Sequence, residues 1–79
     1  MSKTVLSSSQ VSDLKRAGLN QGQIDIVVHN LTELVNARKI TTNTVGIIIH
    51  NIINDQKFRA NFFKDPRKAI MEANPQPSP

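Results

Sequence analysis

Apolar residues recur along this chain at helical spacing, in stretches separated by short polar clusters that read as helix starts. Ser7-Ser8-Ser9-Gln10 fits a capping box, with Ser7 as N-cap and the Gln10 side chain reaching back to it. A first helix is expected to follow, with Val11 and Leu14 inward and Ala17 at its end. Gly18 then supplies the left-handed stop that helices favour, and Leu19 folds back onto the helix it follows. Asn20-Gln21-Gly22-Gln23 repeats the device, with Asn20 as cap and Gln23 three positions on. Ile24, Val27, Val28, Leu31, Leu34 and Val35 then keep helical spacing over about three turns, which predicts a buried stripe. Asn36 to Lys39 ends that helix, with Arg38 and Lys39 well placed near its negative end. Together the two segments make a helix-turn-helix-like corner.

Thr41-Thr42-Asn43-Thr44 is a further capping cluster, and residues 45–53 after it suit two structures. The β-branched residues there would fit a strand. Val45, Ile48, Ile49, Ile52 and Ile53 also make a helical stripe, and a lone strand would have no partner elsewhere in the chain, so a helix is expected. Ile47 falls off the stripe. Gly46 weakens such a helix by about 1 kcal/mol relative to Ala unless it permits a close helix–helix approach.

The stretch from Asp55 to Ala73 holds all three aromatic residues and half of the basic ones. Phe58 and Phe62 are four apart and share one helix face. Phe63 lies about 100° around from Phe62, so the two should not be equally buried. Asp65-Pro66 reads as the N-cap and first position of a last short helix, with the preceding helix already ended at Lys64. Ala69, Ile70 and Ala73 give that helix one apolar stripe and leave Arg67, Lys68 and Glu72 to solvent. The expected fold is all-α: four or five short helices in one domain over residues 1–73, followed by a disordered Pro-rich tail at 74–79.

Length and composition narrow the function. A chain of 79 residues buries only roughly 60–65% of its unfolded surface, so a partner could add useful burial. It has no cysteine, which excludes disulfides, thiol nucleophiles and thiolate metal sites and agrees with a reducing, cytoplasmic setting. No apolar run reaches membrane-spanning length, and the first residues lack the apolar segment of a secretory signal. The net charge of +4 divides evenly, with five basic and three acidic residues in each of the segments 1–39 and 40–79. A nucleic-acid binder more often concentrates its charge.

No residues form a recognisable catalytic set. His29 and His50 lack a third ligand for zinc, and Asp25, four residues before His29, is the expected partner of that side chain. The Ser and Thr clusters are explained by capping. Gly18, Gly22 and Gly46 make no phosphate loop. Neither a cofactor nor a metal is expected. The densest basic region is Lys57, Arg59, Lys64, Arg67 and Lys68, set against Asp55, Asp65 and Glu72 as a solvated face or as a site for an acidic or phosphate partner.

The string Asp55-x-x-Phe58-Arg59-x-x-Phe62-Phe63-x-Asp65-Pro66-x-x-Ala69-Ile70 resembles the helical segment of nitrile-hydratase-type leader regions of ribosomally synthesised, post-translationally modified peptides. It covers about a quarter of the chain. Such leaders dock on modifying enzymes and are not catalysts themselves. They are followed by a cleavage site and a modifiable core, whereas Asn74 to Pro79 follows here, so the resemblance implies docking rather than a precursor. The expectation is a non-enzymatic docking module that presents its C-terminal helical corner to a modifying enzyme or assembly partner, with Phe63, Arg59, Arg67, Lys68 and Lys64 as contacts. The alternative is a small basic nucleic-acid-associated protein using Arg38, Lys39 and the C-terminal cluster. A homodimer through the Ile-rich segment 45–53 is a third reading.

Overall fold

Each helix of this protein begins where a polar side chain satisfies backbone N–H groups that have no partner within the helix. The computed structural model describes residues 5–73 and contains α1 (Ser8–Arg16), α2 (Gln21–Asn36), α3 (Thr42–Asn54), α4 (Gln56–Lys64) and α5 (Pro66–Ala73). The expected tail at 74–79 lies outside the described residues. Ser7 Oγ accepts from Gln10 N at 3.1 Å and Gln10 Oε1 accepts from Ser7 N at 2.8 Å. Asn20 and Gln23 make the same reciprocal pair at 2.8 and 3.0 Å. Thr41 Oγ1 accepts from Thr44 N to start α3, and Asp55 and Asp65 do the same for α4 and α5.

An apolar residue precedes the first three caps, and another stands at the fourth helical position, the arrangement of a hydrophobic staple. The pairs are Leu6 with Val11, Leu19 with Ile24, and Ile40 with Val45. Leu6, just before α1, and Leu19 and Ile40, between helices, are all buried although none is helical. The chain is therefore pinned to the core just before each of the first three helices starts.

The first two helices end alike. At the end of α1, Gly18 N donates to Lys15 O and Leu19 N to Leu14 O, with Gly18 at φ +103°. At the end of α2, Arg38 N donates to Val35 O and Lys39 N to Leu34 O, with Arg38 at φ +60°. Both are Schellman turns, which need a left-handed residue just past the helix. Glycine takes that conformation freely; Arg38 takes it at a steric cost.

Residues 45–53 are helical, within α3, and no strand occurs among the described residues. The α3 stripe of Val45, Ile48, Ile49 and Ile52 is buried, and Ile47 on the opposite side is half-exposed. A Cβ at Gly46 would meet nothing within 4 Å, so that glycine does not serve a close helix approach. One expected boundary is corrected: α4 includes Lys64. The residue that proline bars from helical geometry is the one immediately before it, Asp65, and Asp65 alone is non-helical between α4 and α5.

α3 packs against α1, α4 and α5, and α2 packs against α1 and α5. The molecule is 19 Å across its thinnest dimension, about two helix diameters, as in a two-layer arrangement. Leu14, the α2 stripe of Ile24, Val27, Leu31 and Leu34, the α3 stripe, Phe62, Ala69 and Ile70 form one core, with Val28 and Val35 at its edge. Phe62 is the largest fully buried side chain. Burying a side chain of this kind contributes about 1.5–3 kcal/mol.

Candidate functional site

The α4–α5 corner is set by single residues. Asp55 closes α3 and also starts α4, where its Oδ1 accepts from Lys57 N at 3.0 Å and Phe58 N at 3.2 Å. Asp65 closes α4, and its Oδ1 accepts from Lys68 N at 3.3 Å. Both carboxylates thus face positive helix ends, where a negative charge is stabilising. The capping role of Asp55 escaped the sequence reading, because the Ile-rich run before it drew attention to stripe positions rather than to a break.

The three rings sit in a row. Phe58 and Phe62 have centroids 6.4 Å apart and tilted, while Phe62 and Phe63 meet edge to face at 5.2 Å and 80°. Such edge contacts add about 0.5–1.5 kcal/mol beyond burial. Phe62 is fully buried; Phe58 and Phe63 pack against the core and keep part of their surface accessible.

Arg59 turns inward to the main chain. Its Nε donates to Ile52 O at 2.9 Å, Nη2 to Ile53 O at 3.3 Å and Nη1 to Ala17 O at 3.4 Å. Ile52 and Ile53 lie in the last turn of α3, and Ala17 caps the end of α1. One guanidinium therefore neutralises the negative ends of two helices. Sequence reasoning treated Arg59 as a contact residue, and no local signal could have shown three acceptors supplied by two other helices.

Lys64, Arg67 and Lys68, the other expected contacts, are exposed, as is Lys57. Lys64, Lys68 and Asn61 line a notch of about 430 Å³ between α4 and α5, with Ala69, Asp65 and Glu72. Met71, four residues past Arg67, is 37% exposed. Among the described residues, no Lys or Arg nitrogen comes within 4.0 Å of a carboxylate oxygen.

The remaining polar groups lie away from this corner. His29 Nε2 is 2.9 Å from Glu33 Oε2, so its partner is Glu33 and not Asp25. Asp25 instead accepts from Gln21 Nε2 at 2.8 Å. His50 Nδ1 lies 3.2 Å from Asn54 Nδ2. A second, shallower groove of about 550 Å³ runs between α1 and α3, past Asp13, Arg16, Gly46, Ile49, His50 and Ile53. Among the described residues, no group of three or more His, Asp or Glu could hold a metal, and no helix is long and apolar enough to cross a membrane. Family models, curated proteins and solved structures give no match to this chain.

Proposed function

We propose that this chain is a non-enzymatic docking module, leader-like in its C-terminal part, that presents the α4–α5 corner to a modifying enzyme or an assembly partner. One observation carries it. The corner is locked from inside by Phe62 and Arg59, while Phe63 keeps an accessible surface beside exposed Lys64 at the end of α4, and Arg67 and Lys68 are exposed at the start of α5. Aromatic residues and Arg are enriched in the buried centre of interfaces, and charged lysines suit the polar rim around it. A corner already fixed in the free protein also spares the partner the cost of ordering it. Phe63, Lys64, Arg67 and Lys68 are the contacts, and Arg59 holds them in place.

The test is capture by the immobilised chain from native extract at low and high salt, with Phe63→Ala as control and circular dichroism to confirm its fold. Retention of one protein at high salt, and its loss with Phe63→Ala, is the expected result. Recovery of nucleic acid alone, stripped off steeply by salt, would replace docking with the basic nucleic-acid reading.

A further inference from the structure

Lys57 and Lys64 are seven residues apart on α4, which puts them on one side of the helix about 10 Å apart along its axis. Ala60 and Asn61 between them are exposed and carry no charge. Beyond the Asp65 break, Lys68 shares the notch with Lys64 and Asn61. The nearby carboxylates are turned to other work. Asp55 accepts from Lys57 N and Phe58 N, and Asp65 accepts from Lys68 N. These lysines make no ion pair within the described residues, so pairing them with an outside carboxylate breaks none inside.

We propose that this outer face seats an acidic peptide segment of the partner, one whose carboxylates recur about 10 Å apart, as at i and i+7 of a helix. It rests on the docking function proposed above and names the chemistry of the docked surface. A protein segment fits better than nucleic acid for two reasons. Asp65 and Glu72 border the same notch, where they repel a continuous phosphate chain but can accept from peptide or side-chain donors. Stacking on bases is also poorly served, since Phe62 is fully buried and Phe58 and Phe63 expose only part of each ring.

The experiment titrates the ¹⁵N-labelled full chain with a synthetic helical peptide bearing Glu at i, i+3 and i+7. The Gln version of the peptide and a short DNA duplex are the comparisons. The Glu peptide is expected to shift amides between Lys57 and Lys68, and the Gln peptide to leave them in place. Lys57→Ser/Lys64→Ser/Lys68→Ser should weaken binding by about tenfold, since several contacts of modest strength are lost together. Arg38→Ser/Lys39→Ser, which removes charge elsewhere, should change it by less than about twofold. Equal loss in both variants, or shifts spread over the whole surface, overturns the proposal. So does tighter binding of the duplex at Lys57–Lys68. If the triple variant still captures a Phe63-dependent partner unchanged, the acidic occupant falls and the docking function stands. If capture never depended on Phe63, the docking function itself falls.

Discussion

Arg59 Nη1 donates to the carbonyl oxygen of Ala17 at 3.4 Å, across 42 positions of sequence. The same guanidinium holds Ile52 O and Ile53 O. The candidate docking corner is thereby tied to the ends of α1 and α3, and the geometry of Phe63 and Lys64 depends on a residue that need touch no partner.

Replacing Arg59 with Met keeps much of the bulk and removes every donor, leaving half-buried carbonyls unpaired. A loss of about 2–3 kcal/mol is expected, because hydrogen bonds to charged groups are among the stronger ones. Arg59→Lys should recover only part of it, since an ammonium cannot reproduce the planar fork. Urea unfolding of both variants measures the difference. Equal stability of Arg59→Met and the parent chain would show that the clamp is idle.

Gly46→Ala should stabilise the protein by about 1 kcal/mol. The new methyl group meets nothing within 4 Å, and α3 gains a better helix former. In a domain this size that corresponds to a melting temperature about 4–8 °C higher. A lower melting temperature would mean that the α1–α3 groove closes in solution more tightly than the geometry indicates.

Arg38 and Gly18 occupy the same place in two equivalent turns, so their substitutions should have opposite signs. Arg38→Gly relieves a left-handed residue at φ +60° and should stabilise by about 1 kcal/mol. Gly18→Ala introduces that strain at φ +103° and should destabilise by about 1–2 kcal/mol. Thermal melts of the pair check the assignment.

Phe62→Ala should cost about 3–5 kcal/mol, enough to unfold a marginal domain of this length. Phe63→Ala, at a half-exposed position, should cost clearly less and leave the helical circular dichroism spectrum intact. Only with that contrast does the Phe63 variant report on binding rather than on folding.

Where a feature depends on neighbours in sequence, it could be read in advance. The reciprocal pairs Ser7–Gln10 and Asn20–Gln23 and the α2 stripe depend on spacings of three and four, and they formed as expected. The unequal burial of Phe62 and Phe63 followed from 100° of helix rotation. Arg38 was harder, because a left-handed stop is usually marked by glycine or asparagine and here an arginine stands there, two residues before the buried Ile40. The Arg59 clamp was not legible at all. Its acceptors converge only once α1 and α3 have packed. In the candidate site, exposure of the lysines and the capping role of Asp65 before Pro66 could be anticipated, but the use of Asp55 on backbone rather than on those lysines could not.

From Thr42 to Ala73 the chain turns two corners with one non-helical residue at each, Asp55 and Asp65. Such joints have no slack to absorb a change of length. One residue inserted into α4 between Phe58 and Phe62 would turn everything after it by about 100°. Phe62 would swing out to where Phe63 stands, and Asn61 would face the core. Among the described joints, the longer turns around Gly18 and Arg38 can take an added residue, whereas the corner cannot change in length.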